Sequence, residues 1–290
     1  TILLFCGLAM PLALAQEGAS PPADSRYNVL DYGAANDGSA DATDAFQQAI
    51  DAAHAAGGGT VFAPRGRYRF DGALTVKREV ALEGIGRYAP AHAGLRDRGQ
   101  NKPEFGTVFE VFGGAGAPEG PAFITLAGNA TLRGVTVFYP EQDPQSAEPT
   151  PYPYAVALRE NNPALLDTQL LNPYLGIDAT RNQRALIRNI HGQPIYKGVV
   201  VDSVYDIGRI ENVHWNPWWS MGTPVYAWQV ANGIGFEFGR TDWHYVHNTF
   251  CFGYKVGYKF IETDNGVTNG NFLGIGADDC WTAIEFEETA

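Results

Sequence analysis

From Tyr174 to Phe286 one phrase recurs, a glycine followed by residues that alternate between apolar and variable, and it predicts an all-β parallel β-helix. The phrase reads Gly176-Ile177-Asp178-Ala179, then Gly198-Val199-Val200-Val201-Asp202, then Gly235-Phe236-Glu237-Phe238. Gly257-Tyr258-Lys259-Phe260 follows, and Ala283-Ile284-Glu285-Phe286 closes the series with Ala in place of Gly. The anchors are 22, 37, 22 and 26 residues apart, so coils of similar length stack and the long step is a coil with an inserted loop. Alternation of period two makes each phrase a strand with one buried face. The expected inward residues are Ile177, Val199 with Val201, Phe236 with Phe238, Tyr258 with Phe260, and Ile284 with Phe286, one strand per coil. Composition agrees: charged residues are 18% of the 290, against 34 Gly and 18 Pro, which suits turn-rich β structure.

A net charge of −12 argues against a nucleic-acid partner, since phosphate backbones repel such a surface. It leaves room for a polysaccharide. Residues 1–15 are apolar and end Ala13-Leu14-Ala15, a small-residue cleavage pattern before Gln16, so they are expected to be part of a secretory signal. Pro11 and the short run disfavour a membrane span. The mature protein is then expected to be secreted or periplasmic, with no membrane attachment. Residues 16–26 read as a Pro/Ala/Ser linker and 27–290 as one β-helix domain. Cys251 and Cys280 remain after signal removal, either bridged or as two buried thiols, and no Cys/His spacing suggests a metal.

Along the chain, Tyr27–Ala34 is a short strand ending in a turn and Asn36–Asp41 a polar turn. Asp41 or Thr43 can cap a helix over Ala42–Ala56, whose Phe46, Ala49, Ile50 and Ala53 share one face. Gly57-Gly58-Gly59 ends it, a strand begins at Thr60–Pro64, and strands follow at Leu74–Val76 and Val80–Gly84. The run Leu30-Asp31-Tyr32-Gly33-Ala34, with Asp37-Gly38, Asp41, Thr43, Ala45-Phe46-Gln47, Ala49-Ile50, Gly57-Gly58-Gly59-Thr60-Val61, Pro64, Gly66 and Tyr68, resembles the N-terminal module of pectate-lyase-superfamily proteins. That resemblance is close over Tyr27–Gly86 and loose to Phe286. It implies a right-handed β-helix whose open apolar end is plugged by the helix. It does not choose among the hydrolases, lyases and adhesins that share the module.

Arg87, Arg96, Arg98 and Lys102 mark a basic polar insertion. Strands are expected at Phe105–Phe112, Ala122–Leu126 and Thr131–Val137. The Pro-rich stretch Tyr139–Tyr154, including Tyr152, is expected to project from the solenoid, because Pro is excluded from interior strands. A second projection is expected inside the 37-residue step, from Asn212 through His214, Trp215, Trp218 and Trp219 to Tyr226 and Trp228. Its aromatics suit stacking on sugar rings, or packing against the solenoid, or an interface between protomers. Asn189, Asn212, Asn248 and Asn269 recur in the coil and read as turn-stabilising residues.

If the anchors are in register, Asp178, Val200, Glu237, Lys259 and Glu285 form one outward row. Coils stack about 4.8 Å apart, so Glu237 and Glu285 stand roughly 9.6 Å apart with Lys259 between them. Carboxylates at about 6.5–9.5 Å suit an inverting glycosidase; the plain alternative is a cross-strand ion-pair ladder. Asp202 is a further acid on this face. Asp278-Asp279-Cys280 resembles the Asp-Asp-Cys stretch of polygalacturonases, which implies water activation, although the companion Asn-Thr-Asp is absent. Asp242 and His244, with His247 nearby, could contact substrate or be ordinary hydrogen-bonded surface groups.

The expected function is a carbohydrate-active enzyme, a glycoside hydrolase using acids among Glu237, Glu285, Asp202, Asp278 and Asp279. Trp215, Trp218, Trp219, Tyr152, His214, Asp242, His244 and Lys259 are the expected substrate contacts. No cofactor is expected. The alternatives are a lyase acting on uronates, with Lys259 as base and Ca²⁺ as an aid, and a non-catalytic glycan-binding β-helix. Nothing in Phe286–Ala290 covers the last coil, so a longer native chain or self-association is expected.

Overall fold

The computed structural model describes residues 25–86, 103 and 106–287. The signal segment, most of the linker and the basic stretch bearing Arg87, Arg96, Arg98 and Lys102 lie outside the described residues. Parallel strands stack into an eight-stranded sheet, a fifteen-stranded sheet and a two-stranded one. The eight-stranded sheet holds the recurring phrase, and its order follows the chain from Leu74–Val76 to Thr282–Phe286. Ile177 pairs with Val199, Val199 with Phe236, Phe236 with Tyr258 and Tyr258 with Ile284, which is the register expected from the anchor spacing.

The expectation of one strand per coil is corrected. Each coil also contributes strand to the larger sheet, through the seven-residue strands Ala164–Leu170, Leu186–Gly192 and Arg209–Trp215. Those strands bend at one residue each, Asp167, Asn189 and Asn212, with φ of 45°, 57° and 56°. Asn and Asp tolerate this left-handed conformation better than other L residues. Their side chains also chain together, Asn189 Nδ2 donating to Asp167 Oδ1 at 2.8 Å and Asn212 Nδ2 to Asn189 Oδ1 at 2.9 Å. Asn248 is in the same conformation, whereas Asn269 takes part only through its backbone, beside Thr241.

Asp37–Asp41, expected as a turn, is a strand paired with Gly66–Phe70. Asp41 Oδ1 accepts from the Thr43 amide at 3.0 Å and leads into helix α1, Thr43–Ala55. The helix buries Phe46 edge-on against Tyr68, Phe70 and Phe109, with centroids 5.0 to 5.3 Å apart. These rings join the apolar column that runs through the coils.

The long coil departs most from expectation. Trp215 ends a strand and is fully buried, 6.2 Å from Phe236 between ring centroids. The chain then leaves the solenoid and forms helix α2, Pro224–Asn232, with Thr223 as N-cap and Pro224 at its start. Trp219 and Val225 pack outside the sheets on Val108, Phe138, Leu171 and Ile195. Gln193 ties this flap down by donating to Ser220 and to Gln229 Oε1, and the Val225 amide reaches the Pro144 carbonyl at 3.3 Å. Tyr152 is likewise buried, its ring 4.8 Å from Tyr139. Trp215, Trp219 and Tyr152 therefore cannot stack on a sugar: bulky aromatics were drawn into packing because the surface they cover is itself apolar.

The anchor glycines are explained by crowding. A Cβ on Gly198 would lie 2.1 Å from the Gly235 carbonyl oxygen and 2.6 Å from Trp215 Nε1. Gly198→Ala is expected to destabilise the protein by about 3 kcal/mol, since overpacking against backbone has no flexible group to displace. Urea unfolding reads this; an unchanged midpoint would mean that neighbouring coils separate at little cost.

His244 is a core residue, not a substrate contact. It is 2% exposed, faces Phe238, and its Nδ1 has no hydrogen-bond partner among the described residues. Burial, reinforced by the charge of Arg209, pulls its pKa from 6.5 down to about 4. The unfolded ring gains its proton first as pH falls, so this contribution is complete above pH 6.5 and is lost toward pH 4. We expect about 2 kcal/mol of lost stability between pH 7 and pH 5, and a loss smaller by that amount in His244→Leu. Parallel pH profiles for the two proteins would contradict this assignment.

Candidate functional site

The outer wall of the eight-stranded sheet gathers the charged row. Asp178 pairs in register with Val200, Val200 with Glu237, Glu237 with Lys259 and Lys259 with Glu285. The expected row is thus present, but its ion pairs differ from those expected. Lys259 does not hold Glu237; it reaches Glu285 at 3.3 Å and Glu287 at 3.0 Å. Glu237, 7% exposed, has both oxygens taken by Lys197 Nζ at 2.8 and 3.0 Å. Asp178 is paired with Arg159, which also reaches the carbonyls of Asp178 and Thr180. Burial pulls the Lys259 pKa down, but the carboxylates of Glu287 and Glu285 outweigh it and hold the ammonium above its ordinary value. That suits a fixed cation and disfavours Lys259 as a proton-abstracting base.

Aromatic rings line the entry edge of this wall. Tyr174 and Tyr196 stack with centroids 5.2 Å apart, and Trp228 of helix α2 lies 6.1 Å from the first and 5.7 Å from the second. Tyr154, one coil earlier, opens its strand opposite Leu175, the residue after Tyr174. Burial, then the charges of Asp178 and Glu237, push the Tyr154 phenol well above its usual range, so it stays protonated and keeps a hydrogen to donate. Tyr174 is raised as well, chiefly by burial. Aromatic faces beside fixed charges are the combination that holds pyranose rings and orients their polar groups.

The remaining predicted acids are elsewhere. Asp202, at the exit end of its strand, accepts from the Arg240 amide at 2.7 Å, Thr263 Oγ1 at 2.9 Å and Asn265 Nδ2 at 2.8 Å. Burial works to raise its pKa, yet those bonds outweigh burial and hold it below the usual carboxylate range. Both its oxygens serve a turn, so it is a corner staple. Asp278 and Asp279 are exposed, Asp278 ending the strand Gly276–Asp278 and Asp279 beginning the turn before Thr282–Phe286, and Asp279 Oδ2 accepts from the Tyr226 hydroxyl at 2.9 Å. Trp218 is half-buried, Asp242 is exposed, and the His214 ring meets Phe250 edge-on at 4.7 Å; all three lie outside the charged row. Among the described residues no group of three His, Cys, Asp or Glu side chains could hold a metal ion.

Sequence reasoning missed Arg159, Lys197, Tyr174 and Tyr196, whereas Trp228 and Tyr154 lay at the ends of the two stretches it expected to project. A signal was present: Tyr174 and Tyr196 each stand two residues before an anchor glycine, one 22-residue step apart.

The family model described as rhamnogalacturonase A/epimerase, pectate lyase-like matches residues 26–102. Mannuronan C5-epimerase AlgE5 of Azotobacter vinelandii is 43% identical over 110 residues, 36% of this chain and 11% of that protein. Alginate lyase 7 of the same organism is 55% identical over 67 residues, 21% of this chain and 8% of that protein. The chain thus spans only a small part of the length of these relatives. Among solved structures, the N-terminal fragment of bacteriophage Phi29 gene product 12 superposes with a TM-score of 0.58 at 16% identity, over 89% of this chain and 42% of that one, a likeness of fold alone. The N-terminal segment is thus similar to that family model and to those relatives, and the described residues fold as stacked parallel β coils.

Proposed function

We propose that this chain is a polysaccharide-modifying enzyme that binds a uronate polymer along the outer wall of the eight-stranded sheet and acts at the carbon beside the sugar carboxylate. The observation that carries the reading is the edge formed by Tyr154, Tyr174, Tyr196 and Trp228 beside Arg159, Lys197 and Lys259. Sugar rings stack on the aromatics, and a uronate carboxylate settles against Lys197, whose ammonium has three donors and keeps one for the sugar while it holds Glu237. Neutralising that carboxylate makes the adjacent C–H more acidic, the requirement shared by elimination and epimerisation. Tyr154, which keeps its hydrogen, is the donor to developing negative charge. The named activities of the N-terminal relatives, an epimerase and a lyase on alginate, agree in substrate class.

Hydrolysis by Glu237 and Glu285 gains less support. Both oxygens of Glu237 are engaged by Lys197, and Glu285 is tied to Lys259, so neither acid is aimed at a glycosidic oxygen. A secreted or periplasmic location, suggested by residues 1–15, is where such polymers are met.

The test is a panel of polymannuronate, mixed alginate and pectate. Elimination is read as ultraviolet absorbance, epimerisation as deuterium uptake from heavy water, and hydrolysis as reducing ends without either. Absorbance or deuterium uptake is expected, with Lys197→Ala lowering kcat/KM about 100-fold. Reducing ends alone would restore the hydrolase reading, and binding without turnover on every polymer would make the chain a glycan-binding module.

A further inference from the structure

We propose that the corner where the chain leaves the eight-stranded sheet for the larger one is a second, non-catalytic binding site for a polysaccharide chain, built from Tyr205, Trp243 and Tyr245 with Arg209 and Arg240. That the polymer is a uronate rests on the function proposed above; that a glycan binds at this corner does not. Tyr205 and Trp243 belong to successive coils: Val204 bridges Thr241, and the Asp242 amide donates to the Val204 carbonyl at 2.8 Å. Both rings are large, yet 51% and 50% exposed. Tyr245, two residues after Trp243, is the register partner of Arg209. The aromatics are held in place. Trp243 Nε1 donates to the Tyr245 hydroxyl at 2.9 Å, and the Tyr205 amide donates to Gln183 Oε1 at 2.8 Å. The Trp243 backbone has φ of 51°, in the left-handed region that bulky residues rarely adopt. Packing alone is a poor reason to keep an indole half in water on such a backbone, and with its N–H already engaged the ring offers its face.

The cations beside these rings are not spent on protein acids. The Arg240 guanidinium lies 5.5 Å from the Tyr205 ring centroid and that of Arg209 lies 5.9 Å from the Tyr245 centroid. Arg240 gives one N–H to the Thr241 carbonyl, and among the described residues neither arginine forms an ion pair. Asp206, the acid next to Tyr205, is taken by Arg184, and the exposed Asp242 is left to accept from sugar hydroxyls. Guanidinium forks next to open ring faces complement a polymer that carries a carboxylate on each sugar. The corner is separate from the edge at Tyr174 and Tyr196. Those tyrosines stand ahead of the strands and the corner follows them, at least the length of a strand such as Lys197–Asp202 away, roughly 17 Å. A long chain can occupy both places and stay bound longer, without any change in the chemistry. A short oligomer reaches only one.

The experiment is affinity electrophoresis of the full chain in gels holding polymannuronate or pectate, beside kinetics on the polymer and on its trimer. Trp243→Asn removes the ring and leaves a residue suited to the left-handed backbone, and Tyr205→Ser removes the other exposed ring. Each is expected to weaken retention about threefold to tenfold and to raise KM on the polymer by a similar factor, with kcat on the polymer and kcat/KM on the trimer unchanged. Arg209→Gln, a change at an exposed side chain, is expected to weaken retention likewise, so the site stays testable if a ring variant unfolds. Retention unchanged in Arg209→Gln or in both ring variants, an equal loss on the trimer, or no retention of the unaltered chain by either polymer would overturn the site. Retention that falls in these variants while the unaltered chain turns over no polymer would overturn the function proposed above and leave this site standing.

Discussion

Stacking of coils in strict register is the constraint on which the rest of this molecule depends. Parallel strands share backbone hydrogen bonds with the coil before and the coil after, so no coil can shift without moving every side chain on three walls. The anchor glycines set the tightness of that stack. Gly198 lies against the Gly235 backbone and Trp215, and Gly235 lies against Gly257 and Cys251, so bare backbone fills the space between core side chains of successive coils. Glycine recurs there because the approach is too close for a Cβ.

The same register makes the outer wall a surface of matched charges. Asp178, Glu237, Lys259 and Glu285 are far apart in the chain and neighbours in space. Each acid acquires a cation from the same or an adjoining coil, Arg159, Lys197 and Lys259 in turn. Desolvated acids require such partners, and the partners leave the wall with cations fixed in position. The tyrosines then add shape, since their place just ahead of each strand sets them along one edge of the charges.

Much of this was legible in the sequence. Residue spacing carried the coil register, and alternation carried the buried column from Ile177 to Tyr258, because both are dictated by local period and backbone pairing; Ile284 and Phe286, expected inward too, are 46% and 75% exposed. The positions of lysine ends were not legible. Lys259 can reach either neighbouring coil, and its choice of Glu285 and Glu287 over Glu237 follows from Lys197 having occupied Glu237. The tryptophan segment misled for a different reason. Thr223-Pro224 is a helix-start signal, and the helix it begins at Pro224 was hidden by the expectation of an open loop. Trp215 and Tyr152 read as exposed because they flank Pro-rich stretches, yet both fill the interior.

The excursion between Trp215 and Ile234 adds fifteen residues to a 22-residue coil, yet Val199 still meets Phe236 as though nothing intervened. Floor and flap are therefore separable inheritances. The segment carrying Trp219 and Trp228 can be lengthened, trimmed or replaced while the solenoid beneath keeps its pairing, so the outer surface can change without renegotiating how the chain folds.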